Sequence, residues 1–68
     1  MFEVYAIRSV NKNYLYIGLT NNFERRLKQH NEGQNRTTKP YAPFILVYKE
    51  ILSDRVKARE REKYLKSL

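Results

Sequence analysis

The absence of cysteine from a chain of 68 residues is the tightest limit on what it can fold into. A domain this small buries only about 60% of the surface that its unfolded chain exposes. Chains of that size commonly add disulfides or thiolate-bound metal, and neither is open to this one. Its stability has to come from one apolar core, so residues 1–68 are read as a single domain. A lone histidine, His30, also excludes a zinc cluster built on several imidazoles. Carboxylate and water remain as metal donors, a set that suits magnesium or manganese.

The apolar pattern divides the chain into five elements. Phe2 to Val10 alternates as a strand, with Phe2, Val4 and Ala6 on one face and Glu3, Tyr5 and Ile7 on the other. Ser9 to Asn13 is polar and reads as a hairpin turn. Tyr14 to Leu19 is a second strand, with Leu15, Ile17 and Leu19 opposite Tyr14, Tyr16 and Gly18. A helix is expected next, with Asn21 as N-cap, Glu24 completing a capping box, Phe23, Leu27 and His30 at helical spacing, and Gly33 as the stop. Gly33 to Pro43 is a loop, long for so small a domain and so a candidate binding element. Phe44 to Tyr48 is apolar throughout and reads as a strand, expected at the centre of the sheet. A last helix, capped by Ser53 or Asp54, is expected to bury Val56, Tyr64, Leu65 and Leu68. The order β-β-α-β-α predicts an α+β fold: a small, three-stranded, mainly antiparallel sheet flanked by helices.

The net charge of +7 is unevenly placed. Residues 1–20 carry +1, from Arg8 and Lys12 against Glu3, and residues 41–48 carry none. Residues 21–40 and 49–68 carry +3 each, so the charge gathers on the two helices and the loop between them. Such a distribution suits a polyanionic partner, because neutralised phosphates release their condensed counterions. A merely solubilising surface would have the same composition. No apolar run approaches the length of a membrane span. The opening Met1-Phe2-Glu3-Val4-Tyr5 lacks the basic start and apolar centre of a secretion signal. The chain is therefore expected to be soluble and cytoplasmic.

Val4-Tyr5 in the first strand is followed, eleven residues after Tyr5, by Tyr16-Ile17-Gly18 in the second. Thr20, Asn22-Phe23-Glu24-Arg25-Arg26, Gln29-His30-Asn31 and Gly33 come next, and Arg61-Glu62-Lys63-Tyr64-Leu65-Lys66 lies near the end. In order and spacing these blocks resemble the GIY-YIG endonucleases, over nearly the whole chain. The similarity is to the short single-domain bacterial type, with larger relatives in the incision module of nucleotide excision repair and in intron-encoded homing endonucleases. The resemblance implies a metal-dependent nuclease acting on nucleic acid, with DNA expected over RNA as the substrate, in a setting of repair or recombination.

The implied chemistry has parts that this chain can supply. Phosphodiester hydrolysis needs an activated water, charge neutralisation on the phosphoryl oxygens and help for the leaving oxygen. Tyr5 and Tyr16 match the tyrosines that sit side by side in the family, and either can be the one that activates water. A phenol titrates near 10, so the base is expected to need neighbouring cations that lower its pKa. Arg26 matches the arginine that grips the scissile phosphate, a task suited to the guanidinium fork. His30 is placed to polarise a tyrosine or shuttle a proton. Glu62 matches the carboxylate that holds Mg2+ or Mn2+, which keeps most of its waters. Arg25 and Thr20 from the matching blocks, with Arg36, Lys39 and Tyr41 from the loop, are candidates for contact with nucleic acid.

The first motif departs from the family in having Glu3 where a glycine is usual, and the chain stops soon after the glutamate helix that relatives often extend. The alternative reading is a nucleic-acid-binding module on the same scaffold that does not cut. A basic domain that docks onto an acidic protein is a third. So small a surface offers little for base readout, so a homodimer or a partner protein is the expected source of any specificity.

Overall fold

The computed structural model describes all of residues 1–68. Strands β1 (Phe2–Ser9) and β2 (Leu15–Thr20) form an antiparallel hairpin, followed by helix α1 (Phe23–Asn31). A 3-10 turn at Lys39–Tyr41 leads into β3 (Phe44–Leu52), and helix α2 (Arg55–Lys66) follows. The sheet order is β2-β1-β3 with both pairings antiparallel, so the expected α+β fold is the observed one.

The first strand, not the third, occupies the centre. Val4, Tyr5, Ala6 and Ile7 are all buried, because β1 is paired on both edges and covered on both faces. On one face Tyr5 and Ile7 cluster with Phe23 of α1 and Phe44. On the other lie Val4 and Ala6, and there Arg61 of α2 donates to Glu50 of β3 at 3.0 Å. The expectation that Phe44 to Tyr48 is central is therefore corrected. In β3 the side chains of Ile45, Leu46, Val47 and Tyr48 are largely exposed, and a bulge opposite Ala6 and Ile7 leaves Val47 unpaired. Two apolar runs compete for the centre, and chain connection decides between them: the hairpin occupies one edge of β1 and the return strand takes the other. Lys49 and Glu50 are the charges that mark β3 as an edge.

Both helices differ in detail from their sequence pattern. The N-cap of α1 is Asn22, whose Oδ1 accepts from the Arg25 amide at 3.1 Å, and not Asn21. The neighbour Thr20 takes the Asn22 amide at 3.1 Å and starts the helix one residue late. Asp54 caps α2, accepting from Val56 N at 2.8 Å. The buried residue of α2 is Ala58, while Val56, Tyr64 and Leu68 stay exposed. A small side chain at the contact lets the helix approach the sheet closely. The inward face then runs through Ala58, Glu62 and Leu65, at steps of four and three. This face partly buries Glu62, whose side chain is 16% exposed.

The segment from Gly33 to Pro43 is not an open loop. Asn35 Oδ1 accepts from the amides of Thr37 and Thr38, and the Thr38 side chain is wholly buried. Gly33 is the one residue with a positive φ (75°), the left-handed C-terminal stop that its type permits without strain. Ser9 ties the hairpin to this segment by donating from Oγ to the Tyr41 carbonyl at 2.6 Å.

Candidate active site

A cleft of about 400 Å³ opens where β2, the start of α1 and α2 meet. Tyr16, Thr20, Asn21, Arg26, Arg55, Arg59 and Glu62 line it, beside the apolar Phe2 and Leu19. Its parts come from both sides of the sheet. Tyr16 and Arg26 belong to the face covered by α1, and Glu62, Arg55 and Arg59 come from α2 across the β2 edge. Arg55, Arg59 and Glu62 lie at steps of four and three, hence on one helical face. That spacing is legible in the chain, yet the two arginines are hard to tell there from a generally basic helix.

Behind the cleft lies a buried polar chain. Tyr5 Oη and His30 Nε2 are hydrogen bonded at 3.0 Å, and His30 Nδ1 and Thr38 Oγ1 at 2.7 Å. Tyr5, His30 and Thr38 are 0%, 1% and 0% exposed. The Tyr16 ring centroid stands 6.3 Å from that of Tyr5 and 4.9 Å from that of His30. The pair of motif tyrosines is thus split by depth: Tyr16 lines the cleft and Tyr5 supports it from within. Gly18 makes this possible. It faces Tyr5 in the β1–β2 register, and a Cβ there would stand 2.5 Å from Cζ and Oη of Tyr5.

The charge environment corrects one expectation for Tyr5. Burial raises the pKa of its phenol above 10, the neighbouring Tyr16 adds to the rise, and the nearby Arg26 only partly offsets it. His30 moves the other way: burial, helped by Arg26, holds its pKa below 6.5 and keeps the ring neutral at pH 7. Arg26 itself reaches Gln29 Oε1 only at 3.5 Å, and its buried Nε has no protein partner. A guanidinium left so unsatisfied at a cleft wall is suited to take an anion.

The remaining expected residues divide clearly. Thr20 lines the cleft but its Oγ1 serves the β2–α1 corner. Arg25 is exposed and donates to Asn21 Oδ1 at 3.3 Å. Arg36 and Lys39 are exposed and do not line the cleft. Tyr41 stacks on Tyr14 with centroids 3.8 Å apart and planes within 6°, and Lys12 Nζ stands 5.5 Å from its ring centre. Its aromatic surface is thus already in use inside the protein. Thr38, expected with the rest of its loop to meet the phosphate backbone, instead reaches His30 from eight positions away in sequence. Only its place in a polar loop marked it.

For a metal, the donor set is narrow. No cluster of three or more His, Asp or Glu side chains is present. Glu62 is the carboxylate of the cleft; Lys66 pairs with its Oε2 at 3.1 Å. One carboxylate in a polar, water-accessible cleft fits a magnesium-like ion, which needs only one or two such ligands. It does not fit a two-metal centre.

Comparison with known proteins identifies the family. The family model of the GIY-YIG catalytic domain matches residues 1–68. A UPF0213 protein of Vibrio parahaemolyticus is 38% identical over 68 residues, covering 98% of this chain and 63% of the relative. A UPF0213 protein of Clostridium perfringens is 39% identical over 69 residues, covering 100% of this chain and 73% of the relative. The UPF0213 protein YazA of Bacillus subtilis is 37% identical over 57 residues, with 82% and 58% covered. The chain thus spans less than two thirds of the Vibrio and Bacillus relatives, and none of these names states an activity. No solved structure matches.

Proposed function

The chain belongs to the GIY-YIG catalytic domain family, and from that premise we propose that it is a metal-dependent endonuclease that hydrolyses phosphodiester bonds in nucleic acid, with DNA as the expected substrate. The observation that carries the reading is the cleft that joins Tyr16, Arg26 and Glu62 with two further arginines. In this reading the scissile phosphate lies against Arg26, whose terminal nitrogens donate to its oxygens. Arg55 and Arg59 hold the flanking phosphates of the same strand. In its phenolate form Tyr16 accepts the hydrogen bond of the attacking water and takes up its proton, since it is the motif tyrosine that reaches the cleft. Tyr5, buried and held protonated, positions Tyr16, His30 and Arg26. Glu62 would hold Mg2+ or Mn2+. Bound there, the ion supplies positive charge to the phosphoryl and leaving oxygens. Arg36 and Lys39, outside the cleft, are assigned to the flanking backbone.

The test is incubation of the purified protein with labelled plasmid and branched DNA in magnesium, manganese or EDTA, with Glu62→Ala alongside. Metal-dependent nicking that disappears in Glu62→Ala, with DNA affinity kept, is the expected result. Nicking that persists in the variant refutes Glu62 as metal ligand. Binding without cutting on every substrate, under every metal, returns the chain to a non-catalytic binding module.

A further inference from the structure

The buried chain behind the cleft has a direction, and counting donors reveals it. Tyr5, His30 and Thr38 are sealed from water, so every hydrogen they carry needs an acceptor inside the protein. The neutral imidazole has one ring proton, and it can sit on either nitrogen. Suppose it sits on Nε2. That nitrogen then donates to the Tyr5 oxygen 3.0 Å away, and the hydrogen of the phenol must find another acceptor. His30 Nε2 is the one hydrogen-bond partner the phenol has, and the nearby Arg26 guanidinium can only donate. A buried hydroxyl would be orphaned, an arrangement that folded proteins avoid.

Suppose instead that the proton sits on Nδ1. Tyr5 then donates to Nε2, Nδ1 donates to Thr38 Oγ1 at 2.7 Å, and the Thr38 hydroxyl turns to the Asn35 carbonyl at 3.5 Å. Every hydrogen has an acceptor. The loop is built to keep Thr38 in place, since Asn35 Oδ1 binds the amides of Thr37 and Thr38 and fixes the turn that aims the hydroxyl inward.

We propose that Thr38 is a positioning residue of this site: its hydroxyl holds His30 as the Nδ1–H tautomer, which commits the Tyr5 hydrogen to Nε2. The consequence for cutting rests on the nuclease reading above, whereas the tautomer does not. The Gly33 to Pro43 segment also gains a purpose, because it delivers the Thr38 hydroxyl to Nδ1, the ring nitrogen that Tyr5 does not meet.

His30 is the single histidine of the chain, so its ring nitrogens can be read without ambiguity by long-range proton–nitrogen NMR on the whole protein, without nucleic acid. At a pH above 7 the wild type is expected to show a protonated Nδ1 and a bare Nε2. Thr38→Ser is expected to keep that pattern, and Thr38→Val, of similar shape but without the hydroxyl, is expected to lose it. A wild type with the proton on Nε2 overturns the proposal with no variant needed, and so does Thr38→Val with an unchanged tautomer. In the cleavage assay Thr38→Val is expected to lower kcat roughly tenfold with KM nearly unchanged, less than the ~10²–10⁴-fold of a lost acid–base group, and Thr38→Ser to restore it. Failure of Thr38→Ser to restore the rate, in a protein that cuts, also overturns it. If the protein cuts nothing, the tautomer measurement still decides the role of Thr38, and the nuclease reading is the one that falls.

Discussion

Replacing Gly18 by alanine separates two physical effects of opposite sign. Gly18 has no positive φ, since Gly33 is the one residue that does. On backbone grounds alone, Gly18→Ala is therefore tolerated, and the loss of chain entropy in the unfolded state would stabilise by about 0.4–1 kcal/mol. The new methyl, however, would meet Cζ and Oη of Tyr5 at 2.5 Å and Cε2 of Tyr16 at 3.0 Å. The Tyr5 ring has no room to retreat, being wholly buried with the Phe23 ring edge-on at 5.2 Å. Forcing extra volume into such a place costs about 1–3 kcal/mol. Moving the phenol also pulls it from His30, and a buried polar pair left unsatisfied costs about 1–3 kcal/mol more. The net expectation is a destabilisation of about 2–4 kcal/mol, in a domain whose whole stability at this length is about 3–10 kcal/mol. Urea unfolding followed by far-UV circular dichroism measures it, with a fall in Tm of roughly 4–8 °C for each kcal/mol as a second reading. A variant as stable as the wild type, or more so, would show that Tyr5 does not lie across Gly18 and would refute the packing that sets the two tyrosines at different depths.

Three further outcomes are expected. Because burial holds the pKa of His30 below 6.5, the unfolded chain takes up the proton first as pH falls. The stabilisation is thus fully present above 6.5 and is lost as pH drops below that value through the folded pKa. His30→Gln should remove this slope from urea titrations run across the interval, and a slope that survives assigns it to another group. Arg59→Ala should reduce the slope of log affinity against log salt by about one, as should Lys39→Ala, but only Arg59→Ala should also slow cutting. Equal effects of the two on rate would remove Arg59 from the cleft. Val47→Lys, at an unpaired and half-exposed edge position, should change stability by no more than about 0.5 kcal/mol. A loss of several times that would mean that β3 is covered in solution.

Strands, helices and their order were legible because apolar periodicity is a local property, and here local pattern and final structure agree. Sheet order was not, because Val4 to Ile7 and Phe44 to Tyr48 are both continuous apolar runs and only the route of the chain distinguishes them. The inward face of α2 was misread for a related reason: Val56 and Tyr64 look like core residues, but Ala58 allows the closer approach and sets which face turns in. At the site, Tyr16, Arg26 and Glu62 fall together in the cleft as their motif order suggests. Depth did not show in the sequence. Nothing in Tyr5 and Tyr16 as residues reveals that one is sealed and the other open; that depends on Gly18, Phe23 and the loop that brings Thr38. The loop itself was read from its polarity as a binding element, although Asn35 and Thr38 use their polar atoms for internal support.

The cleft draws its acid from one helix and its principal arginine from the other, on opposite sides of the sheet, and Ala58 alone is wholly buried on the helix that carries the acid. Undocking of α2 would dismantle the cleft, since Glu62, Arg55 and Arg59 leave with it while Tyr5, Phe23 and Phe44 stay packed on the other face. A polyanion that bridges Arg26 with Arg55 and Arg59 bolts the two halves together, and at a hundredfold excess over its dissociation constant it holds α2 down by about 2.7 kcal/mol. Amide protection along α2 and occupancy of the cleft are then two readings of one equilibrium.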